Sequence, residues 1–198
     1  MNSRFAMNFG HRVKWMALAL LLAGCSGNGG LLREKLDPVT AVTITTSTTP
    51  LIFYRDDNAR AAYARDFVYV GPIMVNTMGS YRYFLWFGVW SAIPDAPPAE
   101  VRDGLETVTL FADGEPLQLS VSGWTAGAMG ASDGAYAKPV ASAADAYYEV
   151  TMDQVRLMAG SRELRLLTSG PGGKSYELWS NQASALESLR QFAGLAGY

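Results

Sequence analysis

Tyr81-Arg82-Tyr83-Phe84-Leu85-Trp86-Phe87-Gly88-Val89-Trp90-Ser91-Ala92-Ile93 is the most distinctive stretch of the chain. At the two-residue period of a strand, one face carries Tyr81, Tyr83, Leu85, Phe87 and Val89, and the other Arg82, Phe84, Trp86, Gly88 and Trp90. Both faces are apolar, which is the pattern of a central strand covered on both sides. An aromatic platform for a sugar or lipid is the competing use of these rings, and burial in a core is the stronger reading. Gly88 inside such a strand indicates a bulge or a close approach of another group to the backbone.

The flanking segments are also strand-like. Val39–Thr49 is rich in Val, Ile and Thr, and Leu51-Ile52-Phe53-Tyr54 continues after Pro50. Asp56–Asp66 is mixed and is read as one or two helical turns. Phe67–Val70 and Ile73–Asn76 are β-prone around Gly71-Pro72, and Met78-Gly79-Ser80 forms a turn. Thr107–Phe111 and Leu117–Val121 make a hairpin across Asp113-Gly114, with Val108, Leu110, Leu117, Leu119 and Val121 facing the core.

Ser122–Asp145 is a Gly/Ala/Ser-dominated loop interrupted by Trp124, Met129 and Tyr136. Then follow a strand at Tyr147–Met152, a short helix at Asp153–Ala159 capped by Thr151 or Asp153 and stopped by Gly160, and a strand at Glu163–Thr168. A Gly170-Pro171-Gly172-Gly173 turn leads into Tyr176–Trp179. A final helix, capped by Ser180 or Asn181, lines one face with Leu186, Leu189, Phe192, Ala193 and Ala196. The expected fold is mainly β, an antiparallel sheet or β-sandwich with a C-terminal amphipathic helix packed on it.

The N-terminus is different in kind. Residues 1–14 hold Arg4, Arg12, Lys14 and the sole histidine, His11, and no acidic residue precedes Glu34. Nine apolar residues follow, Trp15–Ala23, too few for the roughly 20 needed to span a bilayer core. A cationic region followed by a short apolar one is the pattern of an export signal. Leu22-Ala23-Gly24-Cys25 directly after it resembles the lipobox of bacterial lipoproteins. That resemblance covers residues 1–26 only. It implies diacylglycerol transfer to the Cys25 thiol, cleavage between Gly24 and Cys25, and acylation of the new amino terminus. Ser26, in place of an Asp after the lipidated cysteine, implies sorting to the outer membrane of a two-membrane bacterium. The expected organisation is a signal peptide at 1–24, a lipidated N-terminus and flexible tether at 25–38, and a single β-rich domain at 39–198.

Cleaved there, the chain keeps 13 of 16 basic and all 18 acidic residues, a formal net charge of −5. An acidic balance with no basic run argues against a nucleic-acid partner and leaves membrane attachment to the lipid. Cys25 is the only cysteine, so no intrachain disulfide forms. Loss of His11 removes His-dependent triads and the usual zinc sets, and neither a metal nor another cofactor is expected.

Catalytic signals are poor. Asp56 and Asp57 are adjacent, which on a strand sends them to opposite faces. Gly170–Ser175 lacks phosphate-loop spacing, and Lys35, Lys138 and Lys174 sit in no Ser–Lys motif. No catalytic residue is assigned. The expectation is a lipid-anchored envelope protein serving as a non-catalytic partner- or ligand-binding module, with an envelope protein as its possible partner. The alternative is a carboxylate-dependent hydrolase of envelope polymer. Trp124 and Tyr136 are the candidate binding residues, because large aromatics in a Gly/Ala/Ser loop commonly anchor interfaces. Those two rings either dock on a partner or pin the loop to its own domain.

A serine cannot form the thioether, so Cys25→Ser is expected to abolish lipid transfer and leave an uncleaved precursor. Fatty-acid labelling in cells checks this; equal label on both forms would refute the assignment.

Overall fold

The apolar run becomes strand β5, Ser80–Ser91, and its two-sided hydrophobicity organises everything around it. It pairs antiparallel with β4, Arg65–Thr77, through twelve residue pairs from Asp66–Ser91 to Thr77–Ser80. Met78 and Gly79 turn the hairpin with positive φ. The computed structural model describes residues 30–59, 61–93, 102–170 and 173–195.

The remaining strands are β1 (Leu32–Leu36), β2 (Thr43–Ser47), β3 (Leu51–Asp56), β6 (Thr107–Ala112), β7 (Glu115–Gly123), β8 (Ala144–Val150), β9 (Leu164–Thr168) and β10 (Ser175–Leu178). Eight of the ten close into a barrel in the order β4-β3-β10-β9-β6-β7-β8-β5, with β5 returning to β4, and every pairing is antiparallel. The β1–β2 hairpin continues the sheet beyond the ring, along Ile73–Asn76 of β4.

An eight-stranded barrel has an interior just wide enough for side chains to fill. Here Phe53, Val68, Val70, Leu85, Phe87, Val108, Leu110, Ala146, Tyr148 and Leu166 fill it. The Tyr148 hydroxyl donates to the Leu105 carbonyl at 2.6 Å, so this polar tip is satisfied.

Two helices join this core. Helix α1 (Met152–Gly160) starts at Thr151, whose hydroxyl accepts from the Gln154 N–H while the Gln154 side chain accepts from the Thr151 N–H. That reciprocal capping box was legible as an N-cap. Helix α2 (Ala183–Ala193) turns Ala185, Leu189 and Phe192 onto the same core and packs against α1 and the β1–β2–β4 end of the sheet.

Four expectations are corrected. The sandwich alternative gives way to a barrel, because β4 and β5 join the two ends of the strand order and leave no second sheet. The folded unit starts at Leu31, not Val39: Leu32–Leu36 of the expected tether pairs with β2, and Leu32 is packed against the core. Asp56–Asp66 contains no helix among its described residues; its ends belong to β3 and β4, joined by a turn. The final helix begins at Ala183, after Gln182 and without a side-chain cap. The Gln182 amide instead bonds Ile52, accepting from its N–H at 2.6 Å and donating to its carbonyl at 2.7 Å, so it takes over the edge of β3 where β10 ends. Ala196 lies outside the described residues.

Ser188 on α2 is fully buried, and its hydroxyl has no partner among the described residues. An unsatisfied buried polar group costs about 1–3 kcal/mol. Ser188→Ala is therefore expected to stabilise the fold, raising the melting temperature by about 2–4 °C for a chain of this size. A fall in melting temperature would show that the hydroxyl has an acceptor.

Candidate functional site

The outer face of β5 decides where the surface is unusual. Phe84 and Trp86 point out of the barrel and form a second core with Ile44, Ile73, Val75 and Tyr147. What covers them is the segment after β7. The expected loop Ser122–Asp145 is shorter than its composition implies: Ser122 and Gly123 end β7, Ala144 and Asp145 begin β8, and Ala126–Met129 forms a 3₁₀ turn whose Met129 is buried.

Polar contacts at several points hold the segment down. Asp37, nearly inaccessible to solvent, accepts from the Val39 and Thr40 N–H groups at 2.9 and 3.2 Å within its own hairpin turn. It also accepts from the Ser132 N–H at 2.6 Å and the Ser132 hydroxyl at 2.8 Å. Burial alone would raise its carboxyl, yet these donors together hold it well below the usual carboxylate range. Lys35 meets Asp133 at 3.0 Å. At the far end, Asp145 accepts from Trp86 Nε1 at 2.9 Å and pairs with Lys138 at 3.1 Å.

Tyr136 is a further hold. Its ring stacks on Trp86 with centroids 4.9 Å apart and planes 15° from parallel. Its hydroxyl donates to the Pro72 carbonyl at 2.8 Å and lies 2.9 Å from Ser47 Oγ; burial pushes this phenol well above its ordinary pKa. A Cβ at Gly71 would collide with the ring, so only glycine fits beneath it. Tyr136 thus pins its segment. Trp124 lies elsewhere, half-buried against the barrel core with the Arg102 guanidinium 5.2 Å from its ring centroid. The two candidate residues belong to different clusters, and the structure does not bring them together.

Where the segment meets the β1–β2 hairpin, a cleft of about 280 Å³ opens between Arg33 and Lys35 on β1, Ile44 and Thr46 on β2, and residues 133–137. Both partners of the Lys35–Asp133 bridge are exposed, so it contributes only about 0–1 kcal/mol. Arg33 has no ion-pair or hydrogen-bond partner among the described residues.

Beyond the covered half of the outer face lies a second group of rings, which Tyr69 joins to the covered cluster. Phe67 and Trp90, cross-strand neighbours, stack at 4.6 Å, and Tyr69 lies 6.5 Å from Trp90. Trp179 meets Tyr54 edge-on at 4.9 Å, and Arg65 lies 5.6 and 5.3 Å from the centroids of those two rings. All five rings are half-buried. Trp90 Nε1 is buried with no acceptor among the described residues.

The adjacent carboxylates Asp56 and Asp57 form no open pair, whereas Asp113 and Glu163 line a shallow pocket together with Arg165. Asp56 faces outward to Arg65 at 2.8 Å. Asp57 and Asp66 close the lumen end by sharing Arg55, whose Nη2 lies 2.7 and 2.8 Å from them. Burial would lower the Arg55 pKa, but the Asp66 hydrogen bond and charge outweigh it and raise it. Tyr176 beside them is pushed up by burial and stays protonated. Carboxylate oxygens committed to a guanidinium inside a packed barrel are not placed to protonate a substrate or activate water.

Among the described residues, no three His, Cys, Asp or Glu side chains converge on a possible metal position, and no helix is long and apolar enough to cross a membrane. Gly24 and Cys25 lie outside the described residues. No family model, curated protein or solved structure matches the chain.

Sequence reasoning missed Asp37 and the outer ring group. Asp-Pro before a Val/Thr run is a turn-initiating signal that marks Asp37. The ring group has no local signal, because it joins residues from β3, β4, β5 and the stretch after β10.

The Asp37 carboxyl has a lowered pKa in the fold. Its contribution is fully present above its unfolded value, about 3.9, and is lost as pH falls through the folded value. Asp37→Asn is therefore expected to melt at lower temperature than wild type at pH 7. Below pH 4 its melting temperature should depend less on pH. Thermal melts between pH 2 and 7 check this; parallel curves would remove Asp37 from its anchoring role.

Proposed function

We propose that this chain is a lipid-anchored envelope protein that acts as a non-catalytic binding module and meets a partner protein through the outer ring group of Tyr54, Phe67, Tyr69, Trp90 and Trp179. One observation carries this reading: five half-buried aromatic side chains gather on one part of the barrel's outer face. The same outward positions on β6, β7 and β9 include Thr109, Gln118, Ser120 and Arg165. Aromatic side chains beside an arginine are the composition enriched at energetically dominant interface positions. The ring faces are largely used against one another and against Arg65, so their edges remain for contact. That geometry suits a protein surface better than the flat stacking a sugar requires.

The anchor rests on the charged N-region, the short apolar stretch and Leu22-Ala23-Gly24-Cys25. Lipid on Cys25 would hold the barrel near one leaflet. The outer membrane is the expected one by the same resemblance. No nucleic acid, metal or other cofactor is part of this function.

The edge contact between Tyr54 and Trp179 is worth about 0.5–1.5 kcal/mol beyond the area it buries. Trp179→Ala is therefore expected to lower stability modestly while abolishing photo-crosslinks from probes placed at Glu177 or Asp56 in intact cells. Unchanged crosslinks in the variant, or no crosslinks from wild type, would sink the proposal.

A further inference from the structure

We infer that the cleft between β1 and residues 133–137 is a binding site for a phosphate group. Its rim carries two cations, Arg33 and Lys35, at alternate positions of one strand, so both side chains project to the same side. The planar guanidinium of Arg33 is matched to phosphate oxygens and has no partner among the described residues. Lys35 is bound to Asp133, but that pair is exposed on both sides, so the ammonium is cheaply exchanged for a ligand oxygen. Ile44 and the Tyr136 ring supply apolar wall, and Tyr136 and Asp37 keep the opposite wall in place.

Size limits the ligand. At about 280 Å³ the cleft lies at the low end of small-molecule sites, enough for a phosphate and a few attached atoms. Two sources share that chemistry. A free phosphomonoester is one. The other is a phospholipid headgroup: Arg33 is eight residues after Cys25, and eight extended residues span at most about 29 Å. Only the headgroup source depends on the lipid anchor; the site itself does not.

The test uses the full chain in detergent, titrated calorimetrically with inorganic phosphate, glycerol 3-phosphate, a short-chain phosphatidylglycerol and, as a comparison, acetate. Saturable binding of at least one phosphate probe is expected. It should weaken about tenfold or more in Arg33→Ala, corresponding to loss of one charge-assisted contact. Asp133→Asn, which frees Lys35, should tighten it. Both residues are exposed, and unchanged melting temperatures confirm that the variants are folded. Preference for the short-chain lipid supports the headgroup as source, and preference for glycerol 3-phosphate or phosphate supports a free ligand. Failure of all three phosphate probes, acetate binding as tightly as they do, or indifference to Arg33→Ala would overturn the site.

Discussion

A strand that is apolar on both faces needs cover on both faces, and that requirement on β5 shapes the molecule. A closed barrel supplies one cover only, its own lumen, where Leu85, Phe87 and Val89 pack. Phe84 and Trp86 point the other way and would otherwise present a large aromatic surface to water. The chain answers by laying residues 126–136 across them and fixing that segment with buried polar contacts from Asp37 and Tyr136. Hydrogen bonds do the fixing because a Gly/Ala/Ser segment has little apolar area of its own.

The cover is incomplete along the strand. Trp86 lies under Tyr136, whereas Trp90, two pleats further, stacks on Phe67. Between them Gly88 leaves room for the Trp86 ring, which lies so close over its backbone that a Cβ there would clash. The strand shows no register shift at that point, so of the two meanings of a strand glycine this is the close approach. Gly88 therefore lies between the aromatic surface packed under residues 126–136 and the outer ring group. The proposed partner surface follows from that division.

The sequence made the local elements legible and the closure illegible. Alternation over Tyr81–Ile93, the Asp113-Gly114 turn with both residues at positive φ, and the Thr151 cap are properties of a few adjacent residues. Closure depends on β3 meeting β10 through only two residue pairs, a contact between segments more than 100 positions apart. Nothing in either segment announces the other. The same distance hides the outer ring group. Strand β1 is hidden for a different reason: Leu32–Leu36 is an edge strand with charged, largely exposed side chains, and edge strands of that kind mimic a solvated linker. Tyr136 stands out in a Gly/Ala/Ser segment, but its partners, Trp86 and Pro72, are 50 and 64 positions away. Composition alone could not choose between pinning and docking.

Pro72 shows why pinning falls at that point. β2 pairs with β4 from Ile73 onward and β3 pairs with it up to Val70, so the edge of β4 changes partner at Gly71-Pro72. A break there would ordinarily leave a donor and an acceptor exposed in the sheet. Proline has no N–H to leave unpaired, and its carbonyl is taken by the Tyr136 hydroxyl. Gly71 has no side chain to obstruct the ring that delivers this hydroxyl. The same hydroxyl lies beside Ser47, the last residue of β2. One tyrosine thus seals the point where the β1–β2 hairpin parts from the barrel, and the ring that seals it forms a wall of the cleft. The cleft is therefore no accident of a loose loop: its walls meet at a place where a side chain completes the sheet.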